Sequence, residues 1–403
     1  MTQLAERALG WFDRFFVDIC RQFRWSFLPP LMVYFAAGIS GLTAIVGAFF
    51  VKDYLGLSAA FLAGLTFWAG IPWALKMPLG HLVDVIWRWK GLLVWLGAGL
   101  VAASLLIMYG LITSPGAMSA VMAVEAWYVL SVLLAPTGYV IQDSVADAMS
   151  VEAVPRIDDE GRAIPEAESK VLHTTMQTLG RIALIGGLVA VAALNIFMFA
   201  DVETMSEAEK VRVYGRIYLM ALAIPAISVS GVVLAAWQRW RSLEARGRGS
   251  TAASGPPEPV KADYRYFAGG AAFVALTLAI GLGDLPYAQE IVFSGSMGIV
   301  LYLMTRLLKT LDRAKARALV GTAVVIFVFR AVPLPGPGAT WFEIDVLGFD
   351  QRFLSVLYLI TSMLTLVGMV VLRPLMASRS ITWIVAMLTV AAGILALPNI
   401  GLY

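Results

Sequence analysis

The chain has 403 residues, 60% hydrophobic and only 14% charged, with 30 Lys and Arg against 27 Asp and Glu for a net charge of +3. A soluble globular protein runs near ~45–50% apolar and ~25% charged, so this composition excludes a soluble core covered by polar surface. One cysteine, Cys20, excludes a disulfide framework or a CxxC metal site, and the histidines, His81 and His173, are too few and too separated for a zinc motif.

The apolar residues fall in blocks of about 20, the length an α-helix needs to cross ~30 Å of hydrocarbon. A transmembrane β-barrel would show ~10-residue alternating segments instead. Residues 1–27 come first. Leu4, Ala8, Trp11, Phe12, Phe15, Ile19 and Phe23 recur at helical spacing, while Glu6, Arg7, Asp13, Arg14 and Asp18 interrupt any signal peptide. That pattern predicts an amphipathic helix lying on the inner leaflet. Eleven spans are predicted after it, at 28–51, 58–79, 91–113, 118–142, 176–200, 215–237, 264–282, 289–308, 318–333, 352–372 and 381–398. Lys and Arg decide the orientation: 22 of the 30 fall in alternate connections beginning with the N-terminus, and five on the other side. The expectation is an all-α integral membrane protein of about eleven transmembrane helices. Its N-terminus is cytoplasmic, and it lies in the plasma (inner) membrane with the lipid bilayer as first partner.

Two polar interruptions organise the chain. Residues 153–172 form a cytoplasmic loop, and 243–262, containing Gly-Arg-Gly-Ser-Thr-Ala-Ala-Ser-Gly-Pro-Pro-Glu-Pro, have linker composition. The expected parts are a six-helix half over 28–242, the linker over 243–262, a pair of helices over 263–310, and three helices over 311–403. Six helices, a cytoplasmic linker and further helices is the layout of a major-facilitator-like bundle. An unrelated bundle that breaks after six helices has the same outline.

Local motifs sharpen this. Pro72-Trp73-Ala74-Leu75-Lys76-Met77-Pro78-Leu79-Gly80-His81-Leu82-Val83-Asp84 resembles the PW-x-x-KP-x-x-G-x-x-SD signature of the folate–biopterin transporter family, with the proline shifted by one position and Val83 in place of the serine. Asp143-Ser144-Val145-Ala146-Asp147-Ala148-Met149-Ser150-Val151-Glu152 resembles that family's D-x-x-x-D-A-L-x-V-E motif. Pro333, Leu347-Gly348-Phe349, Phe353-Leu354 and Thr361 to Gly368 are similar to its seventh and eighth helices. Gln142-Asp143 followed by Asp147-Ala148 is shared with the similar muropeptide permeases. The resemblance covers nearly all of 28–242 and 318–398. It lacks the arginine run after Asp84, has no counterpart for the helices at 264–282 and 289–308, and leaves the family's last three helices unmatched. It implies a facilitator carrying folate- or pterin-like organic anions, with Gly80 and Asp84 as a loop constraint that locks one closed state.

Ionisable side chains in the hydrocarbon cost several kcal/mol (~2.5–3.5 on insertion scales) and so need a partner or a wet cavity. Asp143 and Asp147 are four apart and share a helical face. Lys76, at the end of the second helix, and Arg181, just inside the fifth, are expected at matching depth. An Asp143–Arg181 or Asp147–Lys76 pair would form an inner gate or carry a coupled proton; plain structural salt bridging predicts the same spacing. Glu125, two turns below the outer face, and Arg330 are expected at similar depth as an outer gate pair or as substrate contacts. For a pterin-like ligand a carboxylate accepts ring N–H groups, an arginine holds a glutamyl carboxylate bidentately, and Trp73 offers a stacking face. Most other tryptophans fall where interfacial anchors belong. No phosphate-binding glycine loop, nucleophile elbow or basic–aromatic pattern for nucleic acid is present, and no cofactor is implied.

The expected function is therefore non-enzymatic: secondary active transport by alternating access, with protons as the coupling ion and a small organic anion as substrate. A carrier of muropeptides or an acyl-coenzyme, and a non-transporting membrane scaffold or pigment-assembly protein, are the competing readings.

Overall fold

The computed structural model describes residues 21–155, 162–246, 261–281, 285–331 and 336–402. Residues 1–20 of the expected interfacial helix, 247–260 of the linker and Pro333 of the outer-loop motif lie outside these. The described residues are helical nearly throughout, as their composition demands. Without water, each backbone N–H and C=O must find a partner inside its own segment, which a helix provides. The chain is an all-α, multi-pass integral membrane protein.

Nine helical segments among the described residues are long and apolar enough to cross a bilayer: Trp25–Asp53, Ala59–Val85, Trp87–Thr113, Val124–Ala153, Glu166–Met198, Glu207–Arg241, Tyr264–Gly281, Ala288–Lys309 and Gln351–Met369. Helices also form at the other two expected positions. Arg313–Arg330 carries Arg313, Lys315, Arg317 and Arg330 in 18 residues, too much charge for a plain span. Ile381–Ala396 is apolar but only 16 residues long. The eleven expected spans thus become nine full-length apolar helices, one charged helix and one short one.

Several helices outrun the bilayer. The fourth segment reaches Ala153 instead of stopping near 142, and the fifth begins at Glu166 instead of 176. Hydropathy marks where lipid ends and leaves unmarked where helical hydrogen bonding ends. Short 3-10 stretches interrupt two spans: Ser40–Thr43 in the first and Ile71–Leu75, opened by Pro72, in the second. At the first of these, Asn195 from the fifth segment donates through Nδ2 to the Leu42 carbonyl oxygen at 3.4 Å.

By contact the chain divides into two compact units. The first is Met1–Asp263 with Leu347–Ser362, and the second is Tyr264–Val346 with Met363–Tyr403. Residues 347–362, expected with the C-terminal helices, group with the first unit. There Gln351 Nε2 donates to the Tyr214 hydroxyl at 2.8 Å and Arg352 Nη1 to the Ala200 carbonyl at 3.1 Å.

Within the first unit the third and fourth segments pack most extensively, followed by the first against the fifth and sixth. Glycine makes both main contacts possible. A Cβ on Gly97 would lie 2.6 Å from the Gly138 carbonyl oxygen, and one on Gly138 would lie 2.5 Å from the Gly97 oxygen. Gly38 meets Leu184 and Gly187 in the same way. Lipid is as apolar as leucine, so close backbone approach and interhelical hydrogen bonds hold such bundles together. The buried pair Ser104 and Ser131 adds the bonds, with Ser104 Oγ donating to the Ser131 carbonyl at 2.8 Å. Val83, Val94, Val145 and Met149 form one apolar cluster, and Phe27, Leu31, Ala153, Val154, Leu172 and Met176 another. These clusters fix the first five segments around the site below.

Candidate functional site: a shared lysine in the first unit

The 3-10 stretch Ile71–Leu75 ends at Lys76, which opens the helix Lys76–Val85. Its ammonium lies 2.5 Å from Asp143 Oδ2 and 2.9 Å from Asp147 Oδ2 on the fourth segment. One turn of helix separates the two carboxylates, so both face the same neighbour. Tyr34, on the first segment, donates its hydroxyl to Asp147 Oδ1 at 2.9 Å. The Tyr34 ring lies against Gly180 of the fifth segment, where a Cβ would approach two ring carbons at 3.0 Å. Four helices therefore meet at one polar cluster.

The cluster holds one cation and two anions, and its side chains are partly open: Lys76 is 43% exposed, Asp143 23% and Asp147 49%. Asp147 has both oxygens engaged. Asp143 has one oxygen engaged by Lys76, and its other has no partner among the described residues. The cluster therefore holds one more carboxylate than cation, and the second oxygen of Asp143 can accept a hydrogen bond from a ligand N–H. At 1.5 Å per residue, Lys76 lies about 13 Å from the end of its segment at Val85, and Asp143 about 15 Å from Ala153. Lys76 was expected to end the second helix; the helix instead continues nine residues past it, because Pro78 sits in the first turn of the new stretch, where it is tolerated.

The other expected site residues are placed as follows. Trp73 sits in the 3-10 stretch, three residues before Lys76, and is 45% exposed. Arg181 is exposed, and Asp143 pairs with Lys76 in place of it; among the described residues Arg181 makes no ion pair. Gly80 and Asp84 lie inside the helix Lys76–Val85, where a loop constraint was expected, and a Cβ on Gly80 would touch nothing within 4 Å. Glu125 was expected two turns deep. A separate short helix, Pro115–Ser119, precedes the fourth segment, so Glu125 is exposed in the first turn of Val124–Ala153, where the helix dipole favours a carboxylate. Arg330, in the second unit, ends Arg313–Arg330, where the same dipole favours a cation.

A second ionic cluster lies nearer the ends of the segments, at Lys90 and Glu152. Lys90 is 3% exposed, contacts Glu152 Oε2 at 2.6 Å and sits 3.8 Å above the Trp87 ring. Arg239 of the sixth segment reaches Glu152 Oε1 at 3.6 Å. Glu152 thereby ties the third, fourth and sixth segments, and Lys90 and Arg239 had been read only as topology markers. Tyr34 was also missed. Its signal is a hydroxyl nine residues inside a span, away from the interfacial belt, where it needs a partner.

No family model matches the chain. A curated relative, the Folate-biopterin transporter of Synechocystis sp., is 30% identical over 136 residues, which is 33% of this chain and 25% of the relative. The match thus spans about a quarter of that protein's length. Among solved structures, that of the D-xylose-proton symporter aligns with 84% of this chain and 77% of its own at 13% identity, with a TM-score of 0.35.

Proposed function

We propose that the protein is a secondary transporter of folate- or pterin-like organic anions, working by alternating access and coupled to protons. The observation that carries the reading is the Lys76–Asp143–Asp147 cluster inside membrane-crossing helices. Ionisable groups at such depth are costly and mark ion or substrate pathways. The relative's name supports the substrate class, as do the Lys76 and Asp143–Asp147 motifs. In this reading Asp143 takes up the proton, which loosens its hold on Lys76. Lys76 is then held to the fourth segment by Asp147 alone, so the second and fourth segments separate more readily. Trp73 stacks on the planar ring, and Arg181 holds the substrate carboxylate. The layout of six spans and a linker suits a facilitator-type exchange between an outward and an inward state.

The test is uptake into proteoliposomes containing the purified chain. Labelled folate and biopterin should accumulate under an inward proton gradient, and a protonophore should abolish the accumulation. Asp143→Asn should lose gradient dependence while keeping counterflow exchange. No accumulation by well-folded protein overturns the substrate assignment, and muropeptides added to the panel distinguish the neighbouring carrier class. Accumulation that ignores the protonophore overturns the coupling.

A further inference from the structure

The helices Tyr264–Gly281 and Ala288–Lys309 of the second unit pack against each other and enclose an open cavity of about 480 Å³. That lies within the ~300–1,000 Å³ that small-molecule sites occupy. Ala268, Gly269 and Ala272 line it from one helix and Gly295, Gly298 and Ile299 from the other; Leu303 packs on Gly269 and Leu276 on Gly295, so backbone is open to an occupant at Gly298. Leu276, packed on Gly295, stands one turn beyond Ala272. The opposite end is cationic. Arg265 lines the cavity there, and Tyr302 beside it receives a 3.4 Å hydrogen bond from Arg306 Nη2.

The charge distribution places that end in the inner leaflet. Arg265 follows the linker and Arg306 precedes the basic stretch Lys309 to Arg317, all on the side rich in Lys and Arg. Asp312 is the acidic residue within that stretch, and it is occupied at the start of the next helix by Lys315. From Arg265 to Ala272 the cavity wall runs about 10 Å, under two turns. That apolar wall takes up part of the length of a lipid acyl chain, while the cationic end selects the headgroup. Anionic lipids concentrate in the cytoplasmic leaflet, and basic pockets between helices there hold their headgroups.

We propose that this cavity is a binding site for one anionic phospholipid of the inner leaflet. Its phosphate is held by Arg265 and Arg306, and one acyl chain lies against Gly269, Ala272 and Gly298. The site is independent of the transport reading and serves to anchor this helix pair in the bilayer.

Native mass spectrometry of the full chain, titrated with phosphatidylglycerol or phosphatidylcholine, tests it. One phosphatidylglycerol should remain bound at several-fold lower lipid concentration than phosphatidylcholine. The double substitution Arg265→Ala with Arg306→Ala should bring that preference below about twofold, the loss expected when the charged contacts that confer it are removed. A Cβ on Gly298 would meet nothing within 4 Å, so Gly298→Leu should fold normally, fill the cavity and reduce retention of both lipids. Equal retention of the two lipids, or unchanged retention in both variants, overturns the proposal. A disulfide-linked dimer of Gly298→Cys in a Cys20→Ser background would assign the cavity to a second copy of this chain and also overturn it.

Discussion

Lys76 is the charge that lets Asp143 and Asp147 stand one turn apart on a single helix face. Its removal leaves two carboxylates without their shared cation. Lys76→Ala should therefore destabilise the protein by about 1–3 kcal/mol, less than the ~3–5 of a fully buried pair because the cluster is only partly buried among protein atoms. Adding Asp143→Asn to Lys76→Ala removes one of the stranded charges, so the double variant should be more stable than Lys76→Ala alone. Thermal unfolding of the four members of this cycle, in one detergent, measures the difference. A double variant at or below the single one would show that the three groups do not act as a unit. The participants were readable in the sequence because an ionisable residue inside an apolar run must be accounted for. Their partners were less so. The expected pairs were Asp143–Arg181 or Asp147–Lys76, whereas Lys76 reaches both carboxylates; the difference lies in azimuth, which the 3-10 turn at Ile71–Leu75 sets.

Helix ends and helix contacts follow different rules. The spans were visible because lipid demands long apolar blocks, yet Glu125 was misplaced because the break at Ala120–Ala123 carries no charge to announce it. Among the glycines of the first and fifth spans, Gly38 and Gly187 meet backbone while Gly41 and Gly186 touch nothing within 4 Å. Composition cannot tell these apart, since the difference lies in which face meets a neighbour. Gly138, against the Gly97 backbone, gives the sharpest test. Gly138→Leu should cost about 1–3 kcal/mol or more by forcing the third and fourth segments apart, whereas Gly41→Ala should change the melting temperature little. Equal effects would contradict the contact. At the start of Arg313–Arg330, the Asp312 carboxylate accepts from the Lys315 backbone N–H at 2.9 Å. This bond, before the Lys315 ammonium, holds the carboxyl below its usual range. The group is depressed, so its contribution is fully present above the unfolded carboxylate value of ~3.9 and fades as pH falls through the folded one. Hydrogen exchange at the Lys315 amide, corrected for intrinsic rate, should keep its protection from pH 6 down to about pH 4 and lose it as the pH is taken lower. In Asp312→Asn, which caps without ionising, the loss should be smaller; an identical loss would exclude the carboxylate as its source.

For the whole molecule, the bias of Lys and Arg commits the chain to one orientation. With only Cys20 native, a Cys20→Ser background permits single-cysteine labelling. Met205→Cys, in the connection before Glu207–Arg241, should react with an impermeant maleimide added outside intact cells. Arg162→Cys, in the connection before Glu166–Met198, should react only after permeabilisation. The reverse pattern would invert the topology and move the Lys76 cluster and the cationic cavity mouth to the other leaflet. The division into compact units was not foreseen, because residues 347–362 follow four helices of the second unit in sequence while their hydrogen bonds reach Tyr214 and Ala200 of the first.

The winding of Ile71–Leu75 has a geometric corollary. A 3-10 turn advances about 120° and 2.0 Å per residue, against about 100° and 1.5 Å for an α-helix. Rewinding those five residues as α-helix would swing everything after Leu75 through about 100° and draw it in by about 2.5 Å. Lys76 comes first after that joint, so its ammonium would sweep more than a quarter-turn away from the face that carries Asp143 and Asp147. A twist confined to five residues would therefore carry Lys76 away from the cluster.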